Sequence, residues 1–452
     1  MSLQNTSSRE KWGSKIGFIL SAAGAAVGLG NIQRFPYLVA QEGGGAFVLL
    51  YLACVFLLGI PMIILEFSLG RNSRLNPYNA IKKNHPHSLY RFGGLLGIGC
   101  SFFILCYYIV ATGWTAATIS NVLRSKNMLF MEMSQTPRVY WPFVLLSLFI
   151  TYLVVSRGIQ KGIERICKIL MPILVLLITA FVIYGLSLPD SMKGVTFFLK
   201  PNFALINSKT VLAALGQAFF SLSIGEAVLT VYGSYTDKKV SLPSVALWIA
   251  FFDTTIALLA GLMIFPALFS IGHPSTFQGV GMLYDAIPMI FSKLPFSHIW
   301  SCFFFLILFI AALTTCFALF EIPVVFLMEE KSFSRNNASL LILFLVSIIS
   351  MPIGLSKGAI YSLTEFKIPF IPAKGVYDIM DYLWGSLGCS TTALIMTLYV
   401  KNKWGTTAAM QEAIIGANPF FIKFGQKIWA FLIKYFIPYA LILILLSLFW
   451  NN

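Results

Sequence analysis

Charge is scarce in this sequence. Asp, Glu, Lys and Arg together make up 11% of 452 residues, where a soluble globular chain carries about 25%. Hydrophobic residues make up 58% and the mean hydropathy is +0.82, which excludes a soluble domain and places the chain in a membrane. No long polar block divides the sequence, so residues 1–452 read as one polytopic domain in a lipid bilayer. Cysteine is sparse. Cys54, Cys100, Cys106, Cys167, Cys302, Cys316 and Cys389 lie in or beside apolar stretches without metal-ligand spacing, and are expected to be free thiols. Four histidines form no HExxH pair, and no nucleophile–base set is evident, so nothing points to an enzyme. Met1 to Arg9 is polar and lacks the basic start, short apolar core and cleavage site of a signal peptide. The first apolar segment is therefore expected to stay as a helix.

Acidic residues are outnumbered, 17 against 32 basic, giving a net charge of +15. That excess could suggest nucleic acid as a partner. However, Lys and Arg fall in the loops between apolar segments and form no contiguous basic face with interleaved aromatics. They are about twice as numerous on the side of the N-terminus, which is the positive-inside asymmetry. The charge sets topology, with the N-terminus cytoplasmic and the plasma (inner) membrane as the setting.

Apolar runs near the length needed to span, roughly 20 residues, occur eleven times: 13–38, 44–70, 91–123, 139–156, 166–187, 210–235, 242–271, 296–328, 338–355, 375–400 and 427–450. An odd number of crossings leaves Asn452 outside. Trp12, Trp141, Trp300 and Trp450 sit near predicted ends, as interfacial anchors do. Two connections, 273–292 and 357–373, are too apolar for plain loops and read as re-entrant or surface hairpins.

Two of the runs are interrupted. The first contains Gly24, Gly28, Gly30, Asn31, Arg34 and Pro36, a mixture useless to a lipid-facing helix. The sixth contains Gly216, Gln217, Ser221, Ser223, Gly225 and Glu226. Broken backbone at membrane depth is tolerated only where it lines a protein-enclosed cavity. Gly24 and Gly28 alone would read as a small-xxx-small packing seam. Together with Asn31 and a second broken run five spans later, they point to an inverted repeat, spans one to five against six to ten, with a binding site between the breaks.

These stretches carry a resemblance. Gly24 to Pro36, Gly43 to Phe47, Tyr107 and Tyr108, Gln217 to Gly225, Tyr232 to Tyr235, Leu313 to Thr315 and Asp381 stand in the order found in the neurotransmitter:sodium symporters. The chain resembles the bacterial, eleven-helix members, including leucine carriers, over nearly its whole length. The resemblance implies an all-α polytopic membrane protein. Residues 1–12 would form a cytoplasmic latch, 13–187 and 210–400 the two five-helix repeats with unwound first and sixth helices, and 427–450 the eleventh helix.

It also implies a site. One sodium ion would be held by the Ala26 carbonyl and the side chains of Asn31, Ser221 and Asp253. A second would meet the carbonyls of Gly24, Val27 and Ala311 and the hydroxyls of Thr314 and Thr315. Hard cations take several oxygen ligands, and broken helices free carbonyls that an intact helix uses internally. A substrate carboxylate would rest on the amides of Leu29 and Gly30, the Tyr108 hydroxyl and the first ion, since amides at a half-helix start favour an anion. The ammonium would meet carbonyls at Ala25, Phe220 and Ser221, near Ala26 and Ser223. Monoamine carriers of the family place an Asp where Gly28 stands, so an amino acid is expected rather than an amine. Ile104, Phe220, Glu226, Cys316 and Leu319 would line the side-chain pocket.

Glu226 is apolar in the leucine-carrying members. An ionisable group at membrane depth is a functional candidate by default. Two readings stand: it receives a cationic or hydrogen-bonding substrate side chain, or it pairs with a neighbouring Tyr or Ser or stays protonated. The resemblance further assigns Arg34 and Asp381 to an outer gate with Phe220 as lid, and Arg9, Trp12 and Tyr235 to an inner latch whose acid is Glu329, with Glu330 adjacent. Chloride-dependent members use residues matching Tyr51, Gln217, Ser221 and a Ser where Ala257 stands. Asp253 can itself balance the sodium charge, so chloride is not expected. The expected activity is sodium-coupled import of an amino acid with two sodium ions, by a monomer or homodimer. A proton-coupled carrier of the same fold and an ion channel are the alternatives.

Overall fold

The computed structural model describes residues 9–125, 128–270, 284–285, 288, 291 and 296–450. Nine helices among them are long and apolar enough to cross a membrane: Gly45–Ser73, Arg91–Leu123, Pro137–Val155, Ile159–Leu186, Leu242–Ser270, Ser297–Lys331, Arg335–Leu355, Val376–Trp404 and Phe421–Phe449. A tenth is the bent pair Lys15–Ala26 and Gly30–Gln41, whose halves meet at 53°. The remaining predicted span is two short helices, Ser208–Ser221 and Val228–Ser234, separated by six residues outside the helix. The interruptions thus fall in the first and sixth of eleven apolar segments, as their Gly, Ser and Asn content requires.

The spans Arg91–Leu123 and Ser297–Lys331 are the most enclosed and pack along each other. Peripheral spans turn large apolar side chains outward, among them Leu176, Ile183, Phe251, Phe344 and Leu443. In a soluble protein such a surface would be a liability; in a bilayer it is the lipid-facing side. The thiols of Cys54, Cys100, Cys106, Cys167, Cys316 and Cys389 are buried and that of Cys302 is half-buried, all unpaired.

Glycine sets one close approach. A Cβ at Gly70 would strike the Thr230 carbonyl, and one at Gly233 would come within 2.7 Å of the Phe67 carbonyl. The inner half of the sixth span therefore lies backbone to backbone on the helix Ile60–Ser73.

Of the two apolar connections, 357–373 is a surface hairpin, with the short helix Tyr361–Thr364 and an antiparallel bridge between Lys367 and Lys374. The connection 273–292 lies mostly outside the described residues. Tyr284 from it is buried, with its hydroxyl 2.8 Å from that of Thr115.

Candidate ion and substrate site

The first break begins where Lys15–Ala26 ends and Val27 turns extended (φ −76°, ψ 100°). The Gly28 amide, which an unbroken helix would give to the Gly24 carbonyl, donates instead to Asn31 Oδ1 at 3.1 Å. The Leu29 amide leaves the Ala25 carbonyl and donates to the Tyr108 hydroxyl at 2.7 Å. Two main-chain oxygens, of Gly24 and Ala25, are thereby released inside the bundle. The chain then resumes as the wide turn Gly30–Arg34 and the helix Phe35–Gln41, with Pro36 in its first turn where a missing N–H does no harm.

The second break runs over 222–227. Ser223 (φ 53°), Gly225 (φ 84°) and Ala227 (φ 62°) all adopt left-handed backbone, which non-glycine residues hold only when their surroundings impose it. Glu66 imposes part of it, accepting the Gly225 amide at 2.9 Å and the Thr230 hydroxyl at 3.5 Å. The Ser101 hydroxyl adds a bond to the Glu226 carbonyl. A Cβ at Gly225 would strike the Cys389 carbonyl, so only glycine fits there. Glu66 is absent from the sequence-based site. An acid inside the second apolar run was the available signal.

The breaks meet at Asp253, which is fully buried. Asn31 Nδ2 donates to Asp253 Oδ1 at 2.6 Å and to Ser221 Oγ at 3.0 Å. The Ser221 hydroxyl lies 2.9 Å from each Asp253 oxygen, and the Tyr51 hydroxyl donates to Oδ2 at 3.0 Å. Three of the four residues expected at the first ion thus form one cluster, and Ala26 lines the adjoining cavity. The carboxylate and hydroxyl of this cluster are the oxygen donors a hard cation takes, while Asn31 turns Nδ2 toward them and its Oδ1 accepts the Gly28 amide. Gln217, beside it, donates to the Gly30 carbonyl at 2.9 Å.

The residues expected at the second ion also converge. Thr315 Oγ1 lies 3.5, 3.4 and 3.3 Å from the carbonyl oxygens of Gly24, Val27 and Ala311, and the Thr314 hydroxyl is 3.0 Å from the last of these. This set is all neutral oxygen. A Cβ at Gly24 would sit 3.2 Å from Thr314 Cβ, so the first and eighth spans touch here.

Between the clusters lies a small cavity lined by Ala25, Ala26, Gly28, Gly30, Ile104, Tyr108, Phe220, Ser221, Ser223, Glu226, Thr315 and Leu319. Nearly every residue expected to touch substrate is there. Leu29 is not among the lining residues, and its amide donates to the Tyr108 hydroxyl. Cys316 is not among the lining residues, and its sulfur lies 3.5 Å from Thr112 Oγ1. Thr315 lines the cavity as well, beyond its expected role at the second ion. Ser223 Oγ donates to the Ala25 carbonyl at 3.3 Å, tying the two breaks together. A side chain at position 28 has no room: its Cβ would strike the Tyr108 hydroxyl and come within 2.7 Å of Thr315 Oγ1.

The two groups of gate residues differ. Arg34 lies 4.5 Å over the Phe220 ring and is not paired with Asp381; a Cβ on Gly385 would sit 3.0 Å from Asp381 Oδ1 and 2.8 Å from the Tyr107 hydroxyl, so those two are neighbours. At the N-terminal face, Arg9 pairs with Glu329, bonds Ser234 and stacks 4.7 Å over Tyr235. Burial opposes the charge on Arg9, but Tyr235 and Glu329 outweigh it and its pKa is raised. Trp12 donates to the Tyr232 carbonyl at 3.0 Å and packs on Phe18. Glu329 also accepts from Asn76, while Glu330 pairs with Lys82. A further network went unforeseen: Tyr235 donates to Glu321 at 2.6 Å, Glu321 pairs with Arg335 at 2.7 Å, and Arg335 with Glu10 at 3.0 Å. Glu164 accepts from the Gly13 amide at 2.6 Å and the Ser14 hydroxyl at 2.9 Å.

The chain matches the sodium:neurotransmitter symporter family model over residues 9–130 and 119–448. It is 34% identical to the sodium-dependent transporter YhdH of Bacillus subtilis, covering 97% of each chain. It is 32% identical to a sodium-dependent transporter of Haemophilus influenzae over 98% of this chain and 99% of the other. The sodium- and chloride-dependent GABA transporter 2 of Rattus norvegicus is 26% identical, over 92% of this chain and 76% of its own. Among solved structures, MhsT in complex with L-phenylalanine superimposes with a TM-score of 0.88 at 34% identity, covering 98% of this chain and all of that one.

Proposed function

Since the chain belongs to the sodium:neurotransmitter symporter family, we propose that it imports an amino acid together with two sodium ions by alternating access. Membership makes it a multi-pass membrane transporter of a small solute, sodium-dependent and not an enzyme. The finer reading rests above all on Asn31, which reaches from the first break to Ser221 and Asp253 and so builds one ion site from both interrupted spans. The similar MhsT structure holds L-phenylalanine. The cavity here has features that suit such a ligand: the start of a half-helix for a carboxylate and carbonyls released from helix bonding for an ammonium.

In the proposed cycle the N-terminus is cytoplasmic, the C-terminus is outside and the plasma (inner) membrane is the setting. Two sodium ions and an amino acid enter past Arg34 and Asp381. Binding draws the two breaks together, and Arg34, Phe220 and Asp381 close the outer path. Loss of the ion at Thr314 and Thr315, held by neutral oxygens alone, loosens the latch of Arg9, Trp12, Tyr235 and Glu329. A ligand drives such a change only through its differential affinity for the two states. One charge crossing 100 mV yields about 2.3 kcal/mol. Two ions with a zwitterion therefore give roughly 4.6 kcal/mol, or about a thousandfold accumulation, before any sodium gradient is counted. A carboxylate at Asp253 can itself balance the charge of the first ion, and Ala257 lacks a hydroxyl, which supports a cycle without chloride.

A thermal-shift screen of the amino acids with and without sodium, followed by proteoliposome uptake, tests this reading. Sodium-dependent stabilisation and concentrative uptake are expected. Ligand affinity indifferent to sodium would overturn it, and uptake driven by a proton gradient alone would replace it with proton coupling.

A further inference from the structure

Among the described residues, every buried acid but one is held by a cation or by more than one hydrogen-bond donor. Glu66 accepts from the Gly225 amide and the Thr230 hydroxyl. Glu321 accepts from Tyr235 and pairs with Arg335. Glu412 pairs with the buried Arg71 at 2.6 Å. Glu226 is 4% exposed, yet among the described residues its side chain has only Ser223 as a hydrogen-bonding neighbour. The single Ser223 proton also lies within reach of the Ala25 carbonyl at 3.3 Å. No Lys, Arg or His is among the described residues lining the cavity.

The position of Glu226 says where its partner comes from. It lines the cavity with Ile104, Tyr108, Phe220 and Leu319. Those side chains offer apolar surface that can cover a methylene stem while a polar head meets the acid, as long basic side chains prefer. A buried carboxylate without a cation is costly, and supplying the cation recovers that cost. We propose that Glu226 selects amino acids with a cationic side chain (ammonium, guanidinium or imidazolium), whose charge completes the cavity. This rests on the amino-acid reading above and adds the class of side chain.

The test compares L-arginine, L-lysine and L-histidine with L-leucine and L-glutamine in sodium-containing buffer. Thermal shift reads binding to purified full-length protein, and competition uptake reads transport. Wild type is expected to rank the basic amino acids first. Glu226→Gln keeps shape and hydrogen bonding but removes the charge. It should weaken basic amino acids roughly tenfold to a hundredfold, the range for losing a charged hydrogen bond, and by more than it changes neutral ones. Glu226→Met should shift the preference to L-leucine. The proposal fails if wild type responds to neutral but not to basic amino acids, a result that stands even if both variants misfold. It fails equally if Glu226→Gln keeps the wild-type ranking. If no amino acid of either class binds in a sodium-dependent way, the underlying symport reading fails instead, which the wild-type screen alone reveals.

Discussion

Replacing Asp253 by Asn is the sharpest probe of the first ion site. The carboxylate accepts hydrogen bonds from Asn31 at 2.6 Å, Ser221 at 2.9 Å and Tyr51 at 3.0 Å. An amide puts an N–H₂ group where one of those oxygens stood, so a donor faces donors. It also deletes the one carboxylate in the ligand set proposed for the first ion. Removing one partner of a buried charge pair costs about 3–5 kcal/mol. At the lower end, the half-saturating sodium concentration should rise about a hundredfold or more. The assay is amino-acid-dependent thermal stabilisation titrated with sodium, repeated with gluconate in place of chloride. Wild type should give the same curve and the same initial uptake rates in both salts. Tyr51→Phe is the control. It removes a single hydrogen bond to that carboxylate, worth about 1.5–3 kcal/mol, and should shift sodium dependence by about tenfold to a hundredfold, less than Asp253→Asn does. An unchanged sodium curve in a folded Asp253→Asn protein would refute the charge-balance argument, as would a large rate drop for wild type in gluconate.

Three other outcomes follow from the same geometry. Thr315→Val removes the hydroxyl shared among three carbonyls and should abolish the sigmoidal sodium dependence of uptake, leaving a single-ion curve; a retained Hill slope near two would argue against the second site. Gly28→Ala drives a methyl into the Tyr108 hydroxyl and should eliminate amino-acid stabilisation while sodium-induced stabilisation persists, measured by thermal shift. Arg9→Ala breaks the contacts to Glu329, Ser234 and Tyr235. It should raise the labelling rate of a cysteine introduced at Thr314 by membrane-impermeant reagents from the N-terminal face, and unchanged labelling would speak against a latch.

Much of this was legible because broken helices leave a compositional mark. Glycine, Asn and Pro inside an apolar run place the first break within a residue or two, and Ser-Leu-Ser-Ile-Gly-Glu places the second. Span lengths follow from bilayer thickness, so most ends shift by only a few residues, as in 242–271 against Leu242–Ser270, although the fifth span starts seven residues earlier than expected, at Ile159. What stayed hidden is partnership between residues far apart in the chain. Glu66 looked like any acid in a helix until its bond to Gly225 showed it bracing the sixth span. Glu10, Glu321 and Arg335 each read as an unremarkable charge, because nothing local brings residues 10 and 335 together. Arg34 stacking on Phe220 is also a matter of side-chain geometry, which spacing does not encode.

The glycines that press the inner sixth helix onto the second have a kinematic meaning. Two backbones in direct contact, notched at Gly70 and Gly233, leave no compliant side-chain layer between them, so they cannot slide or splay independently and must travel as one strut. In the proposed cycle, the element left to move at the N-terminal face is Lys15–Ala26, which ends at the Val27 break and is held near its start by the Trp12 and Glu164 contacts. Spin labels on the second and sixth segments should report one fixed separation with or without sodium, while a label near Lys15 moves against both.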